Sequence, residues 1–193
     1  MHCKGFFRIF KLHNIKMVEL ISSKKINIQT KILAKQITDR HRGDKTPVVV
    51  VGLLNGAFMF YSDLVKSIDL DIECDFMRVK SYAGKHKQGD IQITKDLETA
   101  IKRKHVYLVD DIYDSGNTMK AVTEYLEVKK PASVNIVTLI KRKESKWDPL
   151  DPKSETTVES FQYAFEIDDE WIVGYGMDND KGHCRNYPSI YSL

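Results

Sequence analysis

The chain has 193 residues, 42% of them apolar and 30% charged, with a formal net charge of +3 and a mean hydropathy of −0.37. That length supports one ordinary domain with a real core, and the composition excludes a disordered chain or a helical membrane protein. The mild positive charge argues against a nucleic-acid binder, which normally concentrates a strong basic excess on one face.

The start, "MHCKGFFRIFKLHNIK", mixes basic and aromatic residues without a continuous apolar segment leading to a cleavage site. Residues 1–16 are therefore expected to form a disordered or loosely docked extension, with the folded domain running from Met17 to Leu193. Ile28, Ile32, Leu33 and Ile37 recur at helical spacing and predict a helix from Ile28 to about Ile37, closed by the glycine and proline of "DRHRGDKTP". "VVVVGLL" (48–54) is a β-branched run of the kind buried on both faces of a parallel sheet. A turn at Asn55 and Gly56 follows, then the helical pattern "AFMFYSDLVKSI". The whole run "TPVVVVGLLNGAFMFY" is too short and too interrupted to span a bilayer.

"DIECDFMRVKSY" reads as a strand, "AGKHKQGD" as a polar glycine-bounded loop, and "IQIT" as a short strand. "HVYLVDDI" is a second buried strand, and "TMKAVTEYLEVKK" sets Met119, Val122 and Leu126 on one helix face before Pro131. "SVNIVTLI" is a further strand, "KRKESKWDPLDPKSET" a charged surface loop, "ESFQYAFEI" and "EWIVGYGMD" two more strands, and "NDKGHCRNYPSIYSL" an irregular tail. Strands alternating with helices predict an α/β fold. Cys3, Cys74 and Cys184 are scattered and lack CxxC spacing, so they support neither a disulfide framework nor a cysteine zinc site. A reducing cytoplasm is the expected compartment.

The chemistry concentrates in "HVYLVDDIYDSGNTMKAV", residues 105–122, where Asp110, Asp111 and Asp114 are followed at once by Ser115, Gly116, Asn117 and Thr118. In an open α/β sheet, ligands bind beyond the carboxyl end of a strand, where the next helix begins. Free amides and the positive helix terminus attract a phosphate there, and small residues leave it room. Three carboxylates beside a phosphate require other partners, such as neutral hydroxyls or a magnesium ion. A phosphorylated sugar supplies both a phosphate and a vicinal diol. There is no G-x-x-x-x-G-K-[ST] and no strand feeding a G-x-G-x-x-G, which sets aside the two commonest alternative phosphate loops. "DNDKGHCRNYPS" begins like a calcium loop but has Ser189 where the bidentate glutamate belongs.

"VYLVDDIYDSGNT" resembles the phosphoribosyl-pyrophosphate (PRPP) signature of type I phosphoribosyltransferases. "VGLLNGAFMFYSDL", "SYAGKHKQGDI", "TLIKRK" and "AFEIDDEWIVGYGMD" resemble, in order, segments of the hypoxanthine-guanine branch of that family, across roughly residues 20 to 193. The resemblance implies an open, mainly parallel twisted sheet flanked by helices. It also implies a mobile lid at about 81–90 and a small hood formed by the N-terminal segment and by residues from about 160 to 193. It implies Mg²⁺-dependent transfer of 5-phosphoribosyl from PRPP to a 6-oxopurine, yielding a nucleoside monophosphate and pyrophosphate, in a homodimer or homotetramer that needs no nucleic acid or membrane.

By the same resemblance, Asp114 would be the general base. Asp110 and Asp111 would hold the ribose hydroxyls, and Ser115, Gly116, Asn117 and Thr118 the 5′-phosphate. Leu54, Asn55 and Gly56 would form the pyrophosphate loop, often with a cis Leu54–Asn55 peptide. Ser81 and Tyr82 would belong to the lid, Lys141 would donate to the purine 6-oxo group, Asp169 would ligate magnesium, and Arg185 would grip pyrophosphate. The base-stacking aromatic of the family aligns with Gln162, which leaves Phe161 and Tyr163 as candidates, with Tyr163 favoured. Two departures stand out: Asp110 replaces the usual glutamate, and Asn55 replaces a common lysine. The rival reading is a non-catalytic relative that binds nucleotides or RNA. Its disadvantages are the modest basic charge and the complete set of base, metal and purine positions.

Overall fold

The structure is a computed structural model that describes residues 17–81, 91–154, 156–179 and 181–193. The 1–16 extension, Tyr82 and all but the first residue of the expected lid lie outside the described residues. Among the described residues, no helix is long and apolar enough to cross a membrane.

The framework is a six-stranded sheet in the order β4-β3-β2-β5-β6-β7, comprising β2 (Val48–Leu54), β3 (Ile72–Ser81), β4 (Ile91–Lys95), β5 (His105–Tyr113), β6 (Ser133–Arg142) and β7 (Val158–Ile167). Every pairing is parallel except β3 with β4, which matches the expected open, mainly parallel sheet. β2 shows why the apolar run folds this way. Val48 and Val50 enter one core with Leu33, Ile37, Phe60 and Leu64, while Val49, Val51 and Leu53 enter a second core with Met119, Val122 and Leu126. Alternating side chains thus bury both faces, each contributing about 1.5–3 kcal/mol relative to exposure.

Helices α1 (Ser23–His41) and α2 (Phe58–Val65) cover the first face, and α3 (Asn117–Glu127) covers the second. α1 is longer than the apolar spacing predicts, and its inward stripe is set differently. Ile28 and Ile32 are exposed, whereas Ile26, Thr30, Leu33, Ala34, Ile37, Thr38 and His41 are buried. Two threonines and a histidine complete a helical stripe that apolar residues alone do not reveal. Ser22 caps the start, its Oγ accepting from the Lys25 amide at 3.4 Å. α3 ends at Glu127, four positions before Pro131.

A second sheet has the order β1-β9-β8, from β1 (Val18–Ile21), β8 (Ile172–Val173) and β9 (Ile190–Ser192), and all its pairings are antiparallel. Neither β1 nor β9 has a counterpart among the predicted strands. β9, inside the stretch expected to be irregular, is the middle strand of this sheet. The strand expected over "EWIVGYGMD" is cut to two residues because Gly174, Tyr175 and Gly176 take positive φ angles of 99°, 49° and 103°, which turn the chain sharply.

Candidate functional site

β5 runs from a buried centre to a polar end. Val106 to Val109 are fully enclosed, and the strand then delivers Asp110 and Asp111 half-buried at the carboxyl edge of the sheet. Asp110 Oδ1 accepts from the Asp111 amide at 2.9 Å. Burial first, and then the adjacent Asp111 charge, push the Asp110 carboxyl well above the usual carboxylate range. Among the described residues, no lysine or arginine forms an ion pair with either acid.

The turn that follows is held tightly. Gly116 has φ 85° and stands immediately before α3. A Cβ there would lie 2.5 Å from Tyr113 Oη and 2.9 Å from Trp147 Cβ, so only glycine fits both the dihedral and the space. The charged loop after β6 packs onto this turn as a brace. The amides of Lys146 and Trp147 both donate to the Ser115 carbonyl at 3.2 Å, Tyr113 Oη donates to the Trp147 carbonyl at 2.5 Å, and the Tyr113 and Trp147 rings stack at 6.3 Å. Ser115 Oγ accepts from the Asn117 amide at 3.4 Å. Asn117 and Thr118 open α3, whose first amides have no helical carbonyl one turn earlier to take them, the condition that makes a helix terminus suited to an anion. Asp114 is exposed, with Arg142 Nε 3.9 Å from its carboxylate. Arg142 also donates to the Asp168 carbonyl.

A second loop meets this turn. The Leu54–Asn55 peptide is cis. A Cβ on Gly56 would lie 1.9 Å from Asp111 Oδ2, and a Cβ on Gly176 would lie 2.0 Å from the Gly56 carbonyl oxygen. The 54–56 loop is therefore wedged between the acidic strand end and the 174–178 turn. Arg185 fastens that turn by donating to the Gly176 carbonyl at 2.6 Å and pairing with Asp178 at 2.6 Å. Asp178 is a half-buried carboxylate beside the loop that the sequence analysis did not single out. Its signal was present as the last residue of "EWIVGYGMD".

Of the remaining candidates, Lys141 lies in β6 between Tyr113 and Glu166, not beyond the strand end. Its Nζ donates to Glu166 Oε2 at 2.8 Å and sits 5.5 Å from the centre of the Tyr163 ring. Tyr163 is on edge strand β7, four residues before its end, next to Phe161, which packs against Tyr113 at 4.6 Å. Asp169 is exposed in the turn after β7 and makes no hydrogen bond or ion pair among the described residues. Its neighbour Asp168 takes Lys143 at 2.7 Å. Ser81 ends β3, opposite Ile91. Trp171, 62% exposed, follows the 168–170 turn directly and is a second aromatic that sequence spacing passed over.

Paired carboxylates and an amide-lined turn at the carboxyl edge of a mainly parallel sheet define the phosphoribosyltransferase class, and comparison agrees: the phosphoribosyl transferase domain family matches residues 19–180. Over 179 residues the chain is 38% identical to the hypoxanthine-guanine phosphoribosyltransferase of Aquifex aeolicus, covering 92% of this chain and 95% of that one. It is 39% identical to the hypoxanthine phosphoribosyltransferase of Haemophilus influenzae over 175 residues, covering 90% and 92% of the two chains. The crystal structure of a hypoxanthine phosphoribosyltransferase from Staphylococcus aureus superposes with a TM-score of 0.79 at 38% identity, covering 91% of this chain and 90% of that chain. The chain belongs to the hypoxanthine-guanine phosphoribosyltransferase family.

Proposed function

We propose that the protein transfers 5-phosphoribosyl from PRPP to hypoxanthine or guanine, with Mg²⁺, to give IMP or GMP and pyrophosphate in purine salvage. The observation that carries this reading is the convergence at one sheet edge of Asp110, Asp111 and the amide-lined turn 114–118 with the cis 54–56 loop. The 5′-phosphate is accepted by the amides and hydroxyls of Ser115 to Thr118, and the ribose diol by Asp110 and Asp111. In the reaction, the bond from C1′ to pyrophosphate breaks while the bond from C1′ to the purine nitrogen forms, with oxocarbenium character between them. Asp114 takes the purine proton, a role worth about 10²–10⁴ in rate. Its exposure suits a base that must meet an incoming ligand, and Arg142 Nε lies 3.9 Å from its carboxylate. Lys141 donates to the 6-oxo group, which an amino group could not accept.

Mg²⁺ takes hard oxygen ligands and is usually bound by one or two carboxylates together with substrate phosphates. The carboxylates at this edge fit that requirement. Asp169 is the ligand by sequence resemblance, but the geometry favours Asp178, which flanks the 54–56 loop through Gly176 and Arg185. When bound, the ion neutralises charge developing on the pyrophosphate. Arg185, which pairs with Asp178, grips the same anion in this reading. The purine face is met by Tyr163 or Trp171, and the variant that raises the KM for base, Tyr163→Ala or Trp171→Ala, identifies which. Ser81 and Tyr82 begin a lid that excludes water from the cationic sugar. The working protein is a cytoplasmic homodimer or homotetramer. The test is pyrophosphate release from PRPP and Mg²⁺ with each of hypoxanthine, guanine, xanthine and adenine. Turnover with the first two supports the reading, and no turnover with any of the four overturns it.

A further inference from the structure

The opposite end of the sheet carries a cluster that phosphoribosyl transfer does not use. α1 ends in His41, Gly43 turns the chain at φ 86°, and Asp44 returns over the helix end toward His105, the first residue of β5. Asp110 lies five positions beyond His105 along the strand, so the cluster lies roughly 17 Å from the acidic turn.

The polar atoms are arranged with an inner and an outer side. Outward, His41 Nε2 shares a 2.8 Å hydrogen bond with the buried Tyr107 hydroxyl, and His105 Nδ1 shares one of 2.7 Å with Ser133 Oγ. The Thr46 amide donates to Asp44 Oδ1 at 2.8 Å. Inward, His105 Nε2 lies 3.0 Å and His41 Nδ1 4.0 Å from the remaining oxygen, Asp44 Oδ2. The three inner atoms all lie within 4.8 Å of one another. Zinc bonds of about 2.0–2.2 Å at tetrahedral angles require ligand atoms ~3.3 Å apart, so shifts below about 1.5 Å would close the set. In metal sites the far nitrogen of each ligating histidine is characteristically hydrogen-bonded, which fixes the tautomer and leaves the near lone pair for the ion. His41 is buried, His105 half-buried and Asp44 exposed, so the cluster is enclosed on the histidine side and open to solvent at the carboxylate.

We propose that His41 Nδ1, His105 Nε2 and Asp44 Oδ2 form a binding site for Zn²⁺ or a similar nitrogen-preferring divalent ion, with a solvent molecule in the fourth position. Two imidazoles and one carboxylate select zinc, cobalt or nickel over magnesium. The site is thus chemically distinct from the oxygen-only Mg²⁺ position, and its loading is independent of the activity reading.

The test uses the full chain, titrated with Co²⁺ and Zn²⁺ in the presence of millimolar Mg²⁺, with absorption of the cobalt form and thermal denaturation as readouts. One equivalent of Co²⁺ should give visible bands of a four-coordinate nitrogen and oxygen site, and Zn²⁺ should displace them and raise Tm. Asp44→Asn and His105→Gln should each weaken binding at least about tenfold, and Ser133→Ala, which removes the outer hydrogen bond of His105 and one from Asn135 Nδ2 but no ligand atom, by about 10–100-fold. Ser133→Ala keeps the test valid should a ligand variant unfold. Failure to bind either metal at 100-fold excess overturns the proposal, and so does affinity unchanged in all three variants.

Discussion

The two ends of β5 treat their polar groups in opposite ways. At the amino end, every polar group of the His41, Asp44 and His105 cluster has a protein partner. The Thr46 amide first, and then His105, hold the Asp44 carboxyl down to about 2. Burial, and then the neighbouring His105, lower the affinity of His41 for a proton. At the carboxyl end, Asp110 is pushed up by burial and by Asp111, the first amides of α3 lack a helical carbonyl partner, and among the described residues no lysine or arginine forms an ion pair with Asp110 or Asp111. Partners that the described residues do not supply at that end are the groups a ligand brings: hydroxyls for the acids, a phosphate for the amides, a metal for the remaining charge. The carboxyl end is completed only by what a ligand supplies, whereas the amino end is already oriented from within, its outer hydrogen bonds fixing two imidazoles whose inner atoms face a single carboxylate oxygen.

The sharpest test of that contrast is Asp114→Asn. It should lower kcat by about 10²–10⁴ while leaving PRPP affinity close to normal, as measured by steady-state kinetics and calorimetric titration. Gly116→Ala comes next. Its Cβ meets both Tyr113 and Trp147, and its φ of 85° disfavours alanine, so a loss of about 1–3 kcal/mol is expected from chemical denaturation, with weaker PRPP binding. At the other end, Tyr107→Phe leaves the buried His41 Nε2 unpaired and should cost about 1–2 kcal/mol in the same measurement.

The subtlest effect is a difference in sign. The folded pKa of Asp110 is raised, so ionising it opposes folding. The penalty is absent below the unfolded value near 3.8 and grows as pH rises from there through the folded value. Asp110→Asn should therefore be more stable than the parent at pH 7, with the gain gone at pH 3. The Asp44 pKa is depressed, so its contribution is present above about 3.8 and is lost as pH falls toward 2. Asp44→Asn should be less stable than the parent at pH 7, with the gap closing below pH 3. Denaturation curves at pH 3, 5 and 7 read both, and shifts of equal sign would dissolve the contrast between the two ends.

How much of this was legible in the chain depended on the range of the signal. β2 and β5 announce themselves because a strand buried on both faces must be apolar throughout, and "DDIYDSGNT" does so because charge followed by small residues has few structural uses. The brace around Trp147 was hidden inside a loop that reads as charge and proline, since its contacts are backbone carbonyls and a ring stacked across 34 residues. β1 and β9 are too short for any period to appear, and each is stabilised by a partner about 170 residues away. Asp178 and Trp171 were passed over because only folding brings the 174–178 turn onto Gly56 and leaves the indole exposed. The cluster of His41, Asp44 and His105 was illegible for the same reason, being assembled from a helix end, a turn and a distant strand start.

The register of Val18 with Ser192 and of Ile21 with Ile190 carries a consequence for biosynthesis. At roughly 5–20 residues per second, a ribosome that has made β1 needs on the order of ten seconds more to make its partner. The wide sheet can close around β2 and β5 in that interval. The newborn chain must meanwhile carry an apolar segment, with Val18 and Leu20 still partly uncovered in the finished fold, that cannot dock until residues 190–192 have been made.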